Sequence, residues 1–327
     1  MRALLLLAAA TAALPALRAD VLARFETKTT LNAAFPAQFR DTLLQAINTS
    51  QPAEIIQRYS QGKTAYSRGS LTVIFDTTNG QMTLIHADSH HYATGTLQSY
   101  LEETARATRE ISKQAAGAGA SMKAVAEPGL SGKSETIHGI QAEEHVLNVT
   151  LDGPRLPNMP PGAMLRMVVH LWIAKTEEIA RVPALAEMTQ YQAMSAGLFD
   201  PLAALKEQLR VMPGMSDMLT PLVKEEALTS GVVLRTAIES FMPGFGALMK
   251  QIAPNGANPD GAAFNPDVPL LTMTQEISEL STGPVPLSAM QPPEGYQQVS
   301  MADLVRESLP KAQAPAKPVP PSGGAAR

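Results

Sequence analysis

The sequence predicts an α+β fold, an antiparallel sheet with helices packed against it, and three observations predict it. Segments rich in β-branched and aromatic residues recur between turn residues along most of the chain. One of them, residues 163–174, alternates in hydrophobicity from residue to residue, whereas two blocks, 97–114 and about 183–228, carry helical spacing instead. In the alternating segment Leu165, Met167, Val169, Leu171 and Ile173 share one face, and Met164, Arg166, Val168, His170 and Trp172 share the other. A wholly apolar face opposite a mixed one is expected of a sheet packed on one side and partly covered on the second.

In chain order, VLARFETKTTL (21–31) reads as the first strand. A meander follows through AEIIQRYSQGKTAYSRGS (53–70) and LTVIFDTTNGQMTLIHADSHHYATGT (71–96). Asn79-Gly80 reads as a two-residue type I′ hairpin turn, because both residues tolerate positive φ. Residues 97–114 form a surface helix with a stripe of Leu97, Leu101, Thr104, Thr108 and Ile111. The Gly- and Ala-rich stretch 115–133 is expected to be a mobile connection, after which SETIHGIQAEEHVLNVTLDG (134–153) and residues 163–175 resume the meander. The second helical block, about 183–228, has candidate starts at Asp200-Pro201 and Ser216 and a break at Pro213-Gly214. Two strands, 231–242 and 270–283, are separated by a Pro/Gly loop at about 243–269 with one helical turn at 245–252. From Glu307 to residue 327 the Pro/Ala-rich text lacks the apolar content that offsets chain ordering, and a disordered tail is expected.

The 327 residues, 45% hydrophobic and 17% charged, are enough for a sizeable core. A formal charge of −4 with no Lys/Arg run gives no footprint for nucleic acid, which needs clustered cations to neutralise phosphates. The first residues, MRALLLLAAATAALPALRAD, combine Arg2, an apolar run from Ala3 to Leu14 and a small residue at Ala19. They read as a signal peptide over 1–19, too short to span a bilayer, so the mature chain, 20–306 plus the tail, is expected to be exported without a transmembrane anchor. Removing Arg2 and Arg18 takes the 26 basic residues to 24 against 30 acidic ones, a mature charge of −6. No cysteine is present, which excludes disulfides, thiolate metal sites and acylation at a lipobox cysteine; a soluble periplasmic protein is the simplest expectation.

Candidate chemistry is sparse. His86, Asp88 and His90 stand at spacing two, the spacing of metal ligands along one strand face. Against this, Ala87-Asp88-Ser89-His90 has turn chemistry, so the segment reads as the bend between strands 81–86 and 91–96 and no metal ligand is assigned. No G-x-S-x-G elbow marks a nucleophile, and no catalytic residue is assigned. Gly62-Lys63-Thr64 imitates the end of a phosphate loop, but Gln57 stands where its first glycine belongs; no cofactor is implied. The sixteen methionines are more suggestive. Met188, Met194, Met212, Met215 and Met218 gather in the helical block, where flexible thioethers either fill an irregular core or line a surface for apolar ligands. Trp172 shares both readings, since on a mixed sheet face it packs in the core or floors a cavity.

Several segments, in order, resemble the successive blocks of a family of exported bacterial proteins of unknown function related in fold to the LolA/LolB lipoprotein carriers. A hairpin with an Asp-turn-Tyr pattern is matched by Asp88 to Tyr92, and a second hairpin by Ile137, Gly139, Ile140, Ala142 and Val146. A W-hydrophobic-A strand is matched by Trp172, Ile173 and Ala174, and a terminal P-x-G-Y by Pro293, Gly295 and Tyr296. The resemblance covers roughly residues 22–300; the helical block and the Pro/Gly loop are longer than the family pattern. It implies a strongly curved antiparallel sheet, an incomplete β-barrel with helices on its concave side, and no catalytic residue. The function so implied is non-enzymatic binding of a hydrophobic ligand (an acyl chain, lipid or lipoprotein) in the concavity. The alternatives are an envelope interaction protein with a closed core and, more weakly, metal binding at the histidine hairpin.

Overall fold

A computed structural model describes residues 19–33, 40–41, 44–45, 53–115, 123–152, 165–194, 231–243, 265 and 267–308. The expected signal peptide, the text after Ser308, most of the second helical block and most of the Pro/Gly loop lie outside the described residues, and with them Met212, Met215 and Met218. The described strands are β1 (Val21–Leu31), β2 (Glu54–Ser60), β3 (Lys63–Arg68), β4 (Leu71–Asp76), β5 (Gln81–His86), β6 (His91–Thr96), β7 (Lys123–Ile137), β8 (Ile140–Asp152), β9 (Leu165–Ala174), β10 (Val233–Phe241), β11 (Leu271–Thr282) and β12 (Gln297–Gln298). The helices are α1 (Leu97–Ala115), α2 (Thr176–Arg181), α3 (Pro183–Met194) and α4 (Met301–Ser308). One twelve-stranded sheet results, in the order β12-β6-β5-β4-β3-β2-β1-β11-β10-β9-β8-β7. Every pairing is antiparallel except the short parallel one between β12 and β6. The sheet is not closed into a barrel, since β7 and β12 are its two edges.

Two meanders, β1–β6 and β7–β11, are joined by α1 in sequence and by the β1–β11 pairing in space. Register shows how they share one face. Ala93, Leu84, Val73, Tyr66, Gln57, Ala23 and Leu280 form one row across β6 to β11. Leu147, Val169, Ile238, Met273 and Thr29 form another across β8 to β1. Ala23 and Thr29 lie on the same side of β1, so both rows face the same way. On this side α1 and α4 pack over Phe75, Met82, Leu84 and Ala93. The helix α3 packs Leu185 and Met188 in one cluster with Val21, Ala23, Phe25 and Ile277. The opposite side of β1 is charged: Arg24 bridges Glu54 on β2 at 2.6 Å and Glu279 on β11 at 3.1 Å.

Two expectations are corrected. Residues 115–133 are not all connection: β7 begins at Lys123 and pairs with β8 along its length, with an irregularity between Leu130 and Ser134. Its composition hid it, because Pro128 and Gly129 weaken a central strand but are tolerated on an edge, where one side of the backbone has no ladder to complete. Asn79-Gly80 is also not a type I′ turn. Only Gly80 has positive φ, +70°, and a four-residue loop is closed by Asp76, whose carboxylate accepts from the Thr78 backbone N–H at 2.9 Å. The two-residue turns with positive φ at both positions are Gln61-Gly62 and His138-Gly139.

Candidate functional site

The mixed face of β9 matches the expected alternation: Met167, Val169 and Leu171 are buried, while Arg166, Val168 and His170 are half-buried. Trp172 ends this mixed face, 9% exposed, with the Arg235 guanidinium 5.7 Å from its ring centroid. It belongs to the same buried cluster as Ile137, Ile140, Ala142, Leu185 and Met188. Met188 is completely buried there, whereas Met194 ends α3 with its side chain outside the description. The structure thus brings Trp172 and Met188 into one apolar cluster.

The histidine segment is a hairpin bend. His86 pairs with His91 across β5 and β6, and Ala87 to His90 form the loop, His90 with φ +55°. The loop is occupied by the C-terminal part of the chain. Glu307 of α4 accepts a hydrogen bond from Ser89 Oγ at 3.0 Å and one from His91 Nδ1 at 3.1 Å. Ser89 Oγ in turn accepts from His86 Nδ1 at 3.0 Å, an assignment that follows from the acceptor-only carboxylate beyond it. The Tyr296 ring meets His90 edge-on at 5.1 Å, and the backbone N–H of Gln297 donates to His90 at 2.9 Å. Asp88 to Tyr92 and Pro293 to Tyr296, far apart in sequence, therefore dock on one another. Among the described residues no group of three or more His, Asp or Glu converges as a metal site.

Sequence reasoning missed a polar cluster at the other end of the sheet. The carboxylate of Glu144, on β8 and 3% exposed, accepts from Ser131 Oγ on β7 and from His170 Nδ1 on β9 at 2.8 Å, with Lys133 Nζ at 3.6 Å. Burial pushes its pKa up, but these hydrogen bonds and the charges of His170 and Lys133 outweigh burial and hold it below the usual carboxylate range. The order is Ser, Glu, His with the carboxylate central, so the imidazole does not face the hydroxyl and relays no proton from it. Only the spacing of strands β7 to β9 brings these three together, and no local pattern announces it.

Two further contacts tie the β7–β8 hairpin to distant strands. Arg235 on β10 donates to both oxygens of Glu135 on β7, at 2.8 and 3.0 Å, and to Glu276 on β11 at 2.5 Å. His138, in the hairpin turn, lies 3.9 Å from Glu276, and Arg181 of α2 donates to the Gly139 carbonyl at 2.7 Å. The Gly62-Lys63-Thr64 fragment lies in the β2–β3 hairpin, where Lys63 faces Asp76 at 3.9 Å. A small groove of about 260 Å³ lies beside it, lined among others by Lys63, Gln81, Thr83, Tyr92 and Met290.

No family model matches the chain, and no curated protein does. Among solved structures it is similar to one titled "Structure of PNGF-II in C2 space group", at 8% identity with a TM-score of 0.32. That match covers 89% of this chain but 33% of the other, so the chain spans about a third of that protein's length. A likeness this weak carries no argument about fold or function.

Proposed function

We propose that the chain is a non-enzymatic, exported carrier or binding protein that holds an apolar ligand, such as an acyl chain, against the inner face of a LolA-like half-barrel. The observation that carries this reading is the continuous apolar side of an unclosed sheet, with both described helix groups on that side. Bending of the sheet at its β7–β8 end, toward the mixed side that carries Trp172 and Arg235, is supported by side-chain reach. Strands lie about 4.8 Å apart, so three spacings, roughly 14 Å, separate β7 from β10 and β8 from β11 in a flat sheet. Yet Glu135 and His138 meet Arg235 and Glu276, while the same guanidinium is held back by Glu276. An apolar chain buried on such a face gains about 25 cal/mol per Å² without any polar contact.

The second reading, an envelope interaction protein with a closed core, draws on Leu185 and Met188, which are fully buried where α3 meets the sheet. Native mass spectrometry of the full chain, purified from the compartment it is exported to, separates the two. The carrier reading expects a co-purifying lipid-sized mass that organic extraction removes. Consistent absence of such a mass, with β1–β11 folded, sinks it in favour of the closed core.

A further inference from the structure

We propose that the groove beside the β2–β3 hairpin binds a neutral, hydroxyl-rich ring, a single pyranose, which Thr83, Thr94, Gln81 and Gln291 hold against an apolar wall supplied by the C-terminal part of the chain.

The wall belongs to a strap, residues 283–308, that wraps the β6 edge of the sheet. After β11 the strap crosses the side opposite the helices, where Val285 and Met290 bury against Ala65, Ile74 and Ile85. Gly295, at φ +84°, turns the chain, β12 lies beside β6, and α4 returns on the helix side, burying Leu304 and Val305 against Phe75, Met82, Leu84 and Ala93. The crossing covers only part of the outer side. Past Met290, Gln291 and Pro292 stand beside sheet residues that the strap leaves open. Pro292 and Pro293 have fixed φ, so the wall is stiff before a ligand arrives and binding has little chain left to order.

Alternation along the strands sets the floor. With Phe75, Met82 and Leu84 turned to the helices, Ile74, Thr83 and Thr94 form one row of the outer side, and Lys63, Asp76 and Gln81 form the next. The space of about 260 Å³ is smaller than the roughly 300 to 1,000 Å³ of pockets for drug-sized ligands, so it suits one ring rather than a long acyl chain. Thr83 and Thr94 are half-buried, and among the described residues neither their hydroxyls nor the side-chain amides of Gln81 and Gln291 make a hydrogen bond within the protein. Hydroxyls and amides both donate and accept, as a ring of hydroxyls requires.

Charge in the groove cancels. Lys63 Nζ stands 3.9 Å from Asp76, whose carboxylate also accepts from the Thr78 backbone N–H at 2.9 Å. An anion would meet an ammonium already opposed by a carboxylate, and a cation the reverse, so a neutral ligand is favoured. Ile74, Met290 and Tyr92 pack in one apolar cluster and line the same space, offering a surface to the C–H face of a pyranose. The groove lies on the side opposite the proposed apolar-ligand face, so this site and the carrier reading fail separately.

Saturation-transfer NMR of the full chain tests the site, with glucose, galactose, mannose and N-acetylglucosamine as probes and glycerol and acetate as comparisons. At least one pyranose is expected to bind with a Kd on the order of 1 mM, the range open to so small a ligand, and about ten-fold more tightly than glycerol or acetate. Thr83→Val combined with Thr94→Val keeps the shape and removes both hydroxyls; it should weaken that pyranose about five-fold or more while urea unfolding stays native-like. Gln81→Ala, at an exposed position that needs no repacking, should weaken it about two- to five-fold and decides the matter if the double variant fails to fold. Thr72→Val, on the same outer side but with its hydroxyl donating to Ser67 Oγ at 3.0 Å, should leave binding unchanged. The site is overturned by a lack of saturation transfer to all four sugars at about ten times that Kd, by pyranose binding no tighter than glycerol, or by binding that the groove variants leave intact. A loss as large in Thr72→Val overturns it as well.

Discussion

The same three side chains, Ser, Glu and His, anchor the two ends of this sheet, and they do so in different surroundings. At the β7 edge Glu144 joins Ser131 and His170 with its own side chain 4% exposed; at the β6 edge Glu307 joins Ser89 and His91 with its side chain 36% exposed. The three side chains are alike, with Lys133 added beside Glu144 and His86 beside Ser89, and the exposure to solvent differs. Water and salt screen the exposed lock and make it adjustable, whereas the buried one leaves stranded partners if any member is removed. The edges themselves differ in step. β6 is covered by a strap of the same chain, and β7 has no second strand beside it among the described residues but carries Pro128, Lys133 and the irregularity before Ser134, features that discourage pairing with another strand.

Apolar contacts, rather than the carboxylates, should dominate at both ends, and removing them gives the largest effects. Trp172→Ala, beneath the β7–β8 hairpin, is expected to cost about 3 to 5 kcal/mol in denaturant unfolding if its burial reflects core packing. A loss clearly below that range would instead favour a wall of a ligand cavity. Leu304→Ala, at a fully buried side chain that α4 of the strap sets against the sheet, should cost about 2 to 5 kcal/mol where strap and sheet unfold together. If exchange then rises over 297–308 while global unfolding is unchanged, the strap opens as a unit of its own.

Glu144→Ala comes next. It leaves the half-buried His170 ring and the more exposed Ser131 hydroxyl without their charged acceptor, a loss of about 1 to 3 kcal/mol. Because the folded carboxyl is held below its ordinary value, its stabilisation is complete above the ordinary carboxylate range and disappears as pH falls through the folded value. The native chain should therefore lose more stability in acid than Glu144→Gln, as measured by urea midpoints at about pH 7 and about pH 3. Equal losses would mean that His170 and Ser131 are satisfied in another way.

Which parts of this picture the sequence carries follows from how local each is. The meander is legible because turn residues and β-branched runs report nearest neighbours: β1, the strands of 53–96 and the helix at 97 stand where the patterns put them. β7 is illegible because what makes it a strand is its pairing with β8, not its own side chains. The turn at Asn79-Gly80 misleads because Asp76 captures the loop and lengthens it. The bend at Ala87 to His90 is readable from Asp88 and Ser89, but its purpose is not. Glu307 lies more than 200 residues away and sits where the composition suggests a tail, although α4 continues to Ser308. Glu144 is hidden likewise, its Ser and His supplied by the strands on either side.

The smallest effect is the one that tests the comparison itself. Glu307→Ala removes a carboxylate that is about one-third exposed, so screening limits its contribution to about 0.2 to 1 kcal/mol. That is below Glu144→Ala, although each variant loses a serine and a histidine partner. Added salt should narrow the gap between Glu307→Ala and the native chain and leave that of Glu144→Ala nearly as wide, because a buried pair is screened much less. Chemical unfolding at low and at molar salt measures both. Should the two variants cost the same and respond to salt alike, burial would not be what separates the fixed edge of this sheet from the adjustable one.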